Sequence, residues 1–583
     1  MAQTLRSSIK GALNRSIKGG LLSPAQFRGS TLDLDFAGAK SLKNQIGKKD
    51  IVSFTRASSG TYVGSDGLIK TATTNLLLRS EEFDDAVWVA SAGVSVTVNQ
   101  IEAPNGTLTA DLIAFGAADR TLRQEVVGVS GVTYTASFYV KGTAGETLRV
   151  GSTGIPGVVA NRTLTGGWDR FTFTGVSNQT TIGLLLSTFG GATARNIYLW
   201  GAQLEQSSTV GEYIPTTSTI NSAARFDHDP TTGESLGLLV EESRTNLLPS
   251  SEDVDYAGYQ RAAITTSLDV ATVTAPDGTT TADEIAPTAT TEEHFIGYTT
   301  PANVTAGTAY TFSAYVKPNG TDSVRIRFAF AGFNNQNGSH VFSTNTTTSG
   351  NCDFKITPVA NGWYRIQGTV VADSTAIGQP RIYPNENNSW LGVPSEALYV
   401  WGAQLEEGSF PTSYIPTTDA TVTRAADVAS ISGSNFSSWY RQDEGTMLVS
   451  RLSHQMPLAN FKLLYDFSDG TAANERHLAL HANTNKIYAA TVTGGSVTTT
   501  SAISTPILAG STASAAQAWN ATTFIASTQG INSNEPSVSG PQVINQLRIG
   551  ARVTSVLVFT GTIGRITFWP QRLPDSTLST ITQ

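Results

Sequence analysis

Tyr198-Leu199-Trp200-Gly201-Ala202-Gln203-Leu204-Glu205 recurs as Tyr399-Val400-Trp401-Gly402-Ala403-Gln404-Leu405-Glu406, and each copy is followed by Tyr-Ile-Pro-Thr-Thr, at 213–217 and 414–418. Upstream, the same order of landmarks appears twice. Thr74-Asn75-Leu76-Leu77 matches Thr245-Asn246-Leu247-Leu248, and Ala103-Pro104-Asn105-Gly106 matches Ala275-Pro276-Asp277-Gly278. Tyr134 to Lys141 matches Tyr310 to Lys317, and Gly167-Trp168-Asp169-Arg170 matches Gly362-Trp363-Tyr364-Arg365. The offset between copies grows from 171 at Asn75/Asn246 to 201 at Trp200/Trp401, which reads as a duplicated domain whose second copy gained loop residues while keeping its strands.

Within both copies the apolar residues alternate. Tyr134, Ala136, Phe138 and Val140 lie on one register, and Thr135, Ser137, Tyr139 and Lys141 on the other. A period of two is the mark of a half-buried strand. Pro-Asn-Gly and Pro-Asp-Gly supply turns, with Pro presetting φ and Gly accepting a positive φ. The 583-residue chain carries 54 Gly and only 14% charged residues, which fits short strands joined by polar turns. The expected class is all-β: tandem antiparallel β-sandwiches of jelly-roll type, with a short helical or extended N-terminal anchor.

The organisation read from these signals is an anchor at 1–30, a β-hairpin connector at 31–72 and a first sandwich at 73–218. A second connector at 219–243, a second sandwich at 244–420 and a third β-sandwich at 421–583 complete the chain. The last unit is signalled by Phe436-Ser-Ser-Trp439-Tyr440 before Glu444-Gly445-Thr446, and by Gly564-Arg565-Ile566 before Leu573-Pro574-Asp575. Cys352 is the one cysteine, so no intramolecular disulfide forms and stability rests on core burial or assembly. A net charge of −8 argues against nucleic-acid binding by the whole molecule. The absence of an 18-residue apolar run argues against a membrane span, and the N-terminus lacks a signal-peptide pattern.

The N-terminal arm is basic. Arg6, Lys10, Arg15 and Lys18 precede the first acidic residue, Asp33, and Ile9, Leu13 and Ile17 recur every four residues. That spacing gives an amphipathic helix, which Gly11, Gly19 and Gly20 weaken. Three readings of the arm stand: a docking segment that orders on a larger assembly, a disordered tail, and a membrane-surface helix.

The Arg-Thr-Asn-Leu-Leu segment at 244–248, with the Trp-Gly-Ala-Gln-Leu-Glu strand and its Tyr-Ile-Pro-Thr-Thr exit, resembles the duplicated domain of phage tail-fibre and head-spike-fibre proteins. Those domains look like carbohydrate-binding jelly rolls. The C-terminal motifs resemble concanavalin-like or laminin-G-like domains found in the same proteins. The resemblance implies a virion protein, made in the bacterial cytoplasm and carried on the phage tail or capsid surface. It implies that the arm docks on other virion proteins, that the sandwiches adhere to host-surface glycan, and that the chain is a homo-oligomer, a trimer by analogy. An architectural head fibre or tail-tip connector without sugar binding is the alternative reading, and a polysaccharide depolymerase is a third.

Glycoside cleavage needs two carboxyls across a cleft. The adjacent pairs Glu81-Glu82, Asp84-Asp85, Glu241-Glu242 and Glu406-Glu407 point to opposite strand faces and read as solvated edge charges. His477 and His481 read as the wet face of a strand, without the further ligands a metal needs. No catalytic residue, metal or cofactor is expected, although a structural calcium is compatible with related folds. Sugar contact calls for wet aromatics beside polar groups. The candidates are Tyr139 with Lys141 and Tyr315 with Lys317, on the polar registers of their strands. The Trp168–Arg170 and Trp363–Arg365 pairs follow, where a guanidinium two residues on can stack on the indole and where a core role competes with ligand contact. Trp200 and Trp401 lie in strands apolar on both faces and read as buried.

Overall fold

The computed structural model describes residues 28–583 apart from 189–193, 331, 455–460, 482–483, 509, 535, 537–542 and 555–556. The anchor residues Arg6, Ile9, Lys10, Leu13, Arg15, Ile17 and Lys18 lie outside the described residues. The chain is all-β, with every strand pairing between named strands antiparallel. It divides into two compact units: residues 55–60 with 71–223, and the remainder.

The first unit is a two-sheet sandwich. One sheet runs in the order Asp169–Val176, Thr133–Lys141, Arg195–Glu205, Ala110–Phe115, Val94–Ile101, and the other Ala160–Thr163, Thr147–Thr153, Thr181–Ser187, Thr121–Val127, Val89–Ala90. The alternation read from sequence sets its core, because Tyr134, Ala136, Phe138 and Val140 face inward onto Leu148, Val150, Leu184 and Leu186.

The larger unit contains the second copy. One of its sheets runs Ile264–Ser267, Asp283–Pro287, Ala397–Glu407, Ala309–Asn319, Tyr364–Val371, Asp353–Pro358. The other runs Gln260–Ala262, Phe295–Gly297, Gln379–Tyr383, Ser323–Ala329, Gln336–Val341, Thr346–Ser349. Each sheet has six strands where the first copy has five. The second copy therefore gained strands as well as loop residues, a correction to the sequence reading.

The two repeated motifs are one device. Asn246 donates from Nδ2 to the carbonyls of Ala403 (3.2 Å) and Ile415 (3.0 Å), and its Oδ1 accepts from Leu405 N and Leu248 N, both at 3.1 Å. Asn75 does the same with Ala202, Ile214, Leu204 and Leu77. A fully buried amide thus ties the opening strand of each sandwich to its last strand and to the Tyr-Ile-Pro-Thr-Thr segment. The Gln of each Gln-Leu-Glu completes the fastening: Gln203 Oε1 accepts from Ile214 N (2.8 Å) and Gln404 Oε1 from Ile415 N (2.6 Å). The glycine of Trp-Gly-Ala-Gln sits at a bulge with φ of +64° at Gly201 and +63° at Gly402. A Cβ there would stand 3.1 Å from the ring of Tyr139 or Tyr315.

The C-terminal sandwich takes strands from far upstream. Gly561–Trp569 has Gly445–His454 on one side; on the other it pairs with Leu32–Asp35 and, further along, with Ser235–Val240. The segments read as connectors at 31–72 and 219–243 therefore supply edge strands to this sheet. Their alternating apolar residues, Leu32, Leu34, Leu238 and Val240, are buried in the C-terminal core with Trp439, Trp519 and Phe568. Within 31–72, Lys43–Asn44 with Lys49–Asp50 and Thr61–Val63 with Ile69–Thr71 form separate hairpins.

Where the second sandwich, the 225–241 segment and the C-terminal sheet meet, four charges are buried together. Arg225 reaches Glu241 (2.7 Å) and Asp427 (2.5 Å), and Arg424 reaches Glu241 (2.9 Å). Ser413 N and Oγ add two hydrogen bonds to the Glu241 carboxylate, both 2.7 Å. Burial alone would raise the Glu241 carboxyl, but Arg424 and then Arg225 outweigh it and hold it at about 2.

Two outcomes follow. Asn246→Ala strands buried backbone donors and acceptors, so it should cost at least about 3 kcal/mol in the urea transition of the larger unit. Thr245→Ala, which removes an exposed hydroxyl pair with Thr423, should cost under about 1 kcal/mol. A folded-state pKa depressed to about 2 places the Glu241 contribution above the ordinary carboxylate range and removes it as pH falls through about 2. Acid titration of stability should therefore be steeper between about pH 4.5 and 2 in the parent than in Glu241→Gln.

Candidate functional site

The outer face of the sheet containing Thr133–Lys141 carries the residues that alternation assigned to its polar register. In the first sandwich Tyr139 is half-buried, and the Arg170 guanidinium lies 5.2 Å over its ring. Arg170 donates to Ser137 Oγ (3.1 Å). Trp200 is buried behind Tyr139, with ring centroids 5.3 Å apart, and touches Tyr213 at 4.6 Å. Trp168 is half-buried beside them and donates its indole N–H to Glu102 O at 3.2 Å. Lys141 stands half-buried at the strand end. The result is a half-exposed surface of Tyr139, Trp168 and Tyr213 with a guanidinium fixed at its edge.

The second sandwich repeats this arrangement. Arg365 lies 5.5 Å over Tyr315 and donates to Ser313 Oγ (3.0 Å), and Tyr315 contacts Trp401, which contacts Tyr414. Here the surface is roofed. The 61–71 hairpin packs Ile69 against Trp363 and Tyr315, donates from Ile69 N to Pro276 O (2.9 Å) and from Thr61 Oγ1 to Tyr414 O (2.5 Å). Trp363 is 0% exposed and Tyr315 6%. Tyr315 and Trp363 are thus core, not ligand-facing, and Arg365 turns its Nη2 to Thr412 O (2.7 Å) while Lys317 remains half-buried at the strand end. Among the described residues, each guanidinium stacks on its Tyr and not on its Trp. Trp168 and Trp363 precede their strands and turn their indole N–H groups to Glu102 O and Thr274 O, leaving the arginines to the tyrosines. Trp200 and Trp401 are buried, as their strands implied.

The adjacent acids turn to different surroundings, by strand alternation at Glu406-Glu407 and by turn or loop geometry in the other pairs, and not all are solvated. Glu81 accepts from Tyr213 Oη (3.0 Å), and burial raises its carboxyl, while Glu82 pairs with Arg79 at 2.7 Å. Asp84 is exposed and Asp85 turns to Arg79. Glu406 is buried and accepts from Thr412 N (2.9 Å), whereas Glu407 is exposed. Glu241 is buried against its arginines, whereas Glu242 pairs with Arg244 and Lys462, at 2.5 Å each. The reading of these pairs as solvated edge charges fails at Glu241 and Glu406, where the fold supplies buried partners that spacing does not reveal.

His477 is also not on a wet face. Pairing of Lys462–Ser468 with Glu475–Leu480 sets Asp466 opposite His477, and one ligand atom from each of Asp466, Glu475 and His477 lies within 4.8 Å of the others. Neither Asp466 Oδ1 nor His477 Nδ1 has a hydrogen-bond partner among the described residues. These three residues could hold a metal. However, Arg552 grips both oxygens of Glu475 at 2.8–3.0 Å, and Arg548 stands opposite Asp466 in the next strand. Arg552 already neutralises Glu475, so the cluster is built as an internal polar network. Burial, and then the Glu475 charge, raise Asp466 far above the ordinary carboxylate range. The sequence signal was the polar pairs Asp466/Ser468 and Glu475/His477, legible only once the register is known.

No family model and no curated protein matches the chain. Among solved structures it is similar to the CBM40 of Ruminococcus gnavus IT-sialidase bound to alpha2,3 sialyllactose, at 14% identity over 24% of this chain and 84% of that one, with a TM-score of 0.22. It is similar to the CBM22-1–CBM22-2 tandem of Paenibacillus barcinonensis Xyn10C, at 15% identity over 58% and 98% of the two chains and a TM-score of 0.21. Domains LG4-5 of the mouse laminin alpha1 chain match at 8% identity over 48% and 87%, with a TM-score of 0.18. Likenesses at this level assign neither family nor ligand to the chain. No helix among the described residues is long and apolar enough to cross a membrane.

Proposed function

We propose that the chain is a non-catalytic fibre or spike protein of a phage particle that adheres to host-surface glycan, with the Tyr139–Trp168–Arg170 surface as its sugar contact. The observation that carries this reading is the duplication itself. One aromatic–arginine arrangement is roofed by the chain's own hairpin in the second sandwich and half-exposed in the first. Aromatic faces left in water forgo burial that a pyranose ring restores, and a guanidinium held at their edge supplies directed donors for hydroxyls. The virion role draws on the resemblance of the repeated motifs. In that reading the 1–30 arm docks on other virion proteins, and a homotrimer multiplies weak sugar sites into firm attachment.

A second reading, an architectural virion component, is favoured by the second sandwich, whose equivalent face is spent on contacts within the chain. Binding of the purified full chain to host cells with and without surface polysaccharide separates the two. The adhesin reading expects binding only to polysaccharide-bearing cells, weakened about five- to ten-fold by Trp168→Ala, the equivalent of about 1 kcal/mol or somewhat more. Trp363→Ala should instead lower stability by about 3–5 kcal/mol. Binding that ignores the polysaccharide, or that Trp168→Ala leaves intact, refutes this assignment of the surface.

A further inference from the structure

The second sandwich carries a face that neither the roofed platform nor the core explains. In its second sheet, Ile326, Phe328 and Ile382 point into the core, so Arg325, Arg327, Arg381 and Tyr383 point outward. Arg327 and Arg381 are direct cross-strand partners. Like charges in that position destabilise a sheet unless something offsets them. Glu293 offsets part of it, reaching Arg327 at 2.8 Å and Arg381 at 3.4 Å. Aromatic rings offset more: Arg325 lies 4.1 Å over Tyr383, and Arg381 lies 4.0 Å over Phe295 and 5.5 Å over Phe330. Three guanidiniums still face one paired carboxylate.

Arg325 makes the imbalance sharper. It is 4% exposed, and its Nη1 bonds Glu386 O (3.1 Å) and Asn388 Oδ1 (2.6 Å), both uncharged acceptors. Its Nε and Nη2 have no hydrogen-bond partner among the described residues. A buried cation without an anionic partner is costly. Beside this face Phe330 is 44% exposed and held at φ +69°, a conformation that a bulky side chain rarely adopts. In the first sandwich the corresponding strands pair Arg149 with Ser187 and Gly151 with Leu185, so the arginine pair is a feature of the second copy.

We propose that this outer face is an anion subsite for the carboxylate of an acidic saccharide, with Arg327 and Arg381 as its charged contacts, Arg325 reinforcing the field and Phe330 meeting the sugar ring. The proposal rests on the glycan-adhesin reading and names its ligand class. With Arg327 Nη1 and Nη2 on Glu293 and Asn335 (2.8 and 3.0 Å) and Arg381 Nε and Nη1 on Gln379 and Glu293 (2.7 and 3.4 Å), a carboxylate would bond Arg381 Nη2 in the field of the neighbouring guanidiniums. The exposed ring next to it is a surface that a free inorganic anion would not use.

The test is calorimetric titration of the full chain with a uronic-acid oligosaccharide and with the same oligosaccharide after carboxyl reduction. The acidic form should bind at least about ten-fold tighter, and the advantage should shrink in about 0.5 M salt. Arg327→Gln with Arg381→Gln, shown folded by circular dichroism, should abolish the advantage and leave the neutral form unchanged, and Phe330→Ala should weaken the acidic oligosaccharide but not sulfate. Equal binding of the two forms by the parent chain overturns the proposal without depending on any variant. So does an advantage that survives the glutamine substitutions, or one that sulfate reproduces in full. Acidic binding that persists in Trp168→Ala while neutral binding disappears leaves this site standing apart from the platform. Acidic binding that persists where neither form responds to Trp168→Ala sinks the platform reading alone.

Discussion

Each of the two repeated sandwiches is fastened through a buried asparagine amide. Asn75 and Asn246 satisfy, within one side chain, carbonyls and N–H groups of the last strand and of the segment that leaves it. Those backbone groups are buried and have no ladder partner at that point, so without the amide they would be left unsatisfied in an apolar setting. The segment held down in this way covers the outer face of the sheet and brings Tyr213 or Tyr414 against the bulged Trp-Gly strand. The platform of aromatics and arginine is thus a consequence of the fastening, and it is present wherever the fastening is.

Duplication then gave the same surface two fates. In the second copy the 61–71 hairpin roofs it, and Arg365 is spent on a carbonyl of the chain. In the first copy the ring of Tyr139 and the indole of Trp168 stay half-exposed. The second copy differs on its other sheet, which has one strand more than in the first copy and carries an arginine pair. Tandem copies that diverge on opposite faces can present different contacts from one scaffold.

Buried charge holds the larger unit together at its joint. Arg225, Arg424, Glu241 and Asp427 are nearly inaccessible to solvent, and none could be removed singly without leaving its partners uncompensated. The Asp466–Glu475–Arg552 network in the C-terminal sandwich follows the same logic. In both places the fold uses carboxylates as internal fasteners, as it does at Glu406, while Glu82, Asp85 and Glu242 pair with cations and Asp84 and Glu407 face water.

What the sequence by itself determined is the class and the repeat. Alternation at Tyr134–Lys141 and Tyr310–Lys317 fixes which side of each strand is buried, because a strand has only two faces, and the matched motifs declare two sandwiches. The burial of Trp200 and Trp401 was equally legible, from apolar neighbours on both registers. Tertiary structure decided the rest. Whether a polar-register aromatic is wet depends on what a distant segment lays over it, and the hairpin that covers Tyr315 lies about 250 residues upstream of it. Whether Asp466 meets His477, or Arg327 meets Arg381, depends on strand register, which is set between strands and not within them. The segments at 31–54 and 224–240 likewise looked like connectors until the edge of Gly561–Trp569 gave their alternating leucines a core to enter.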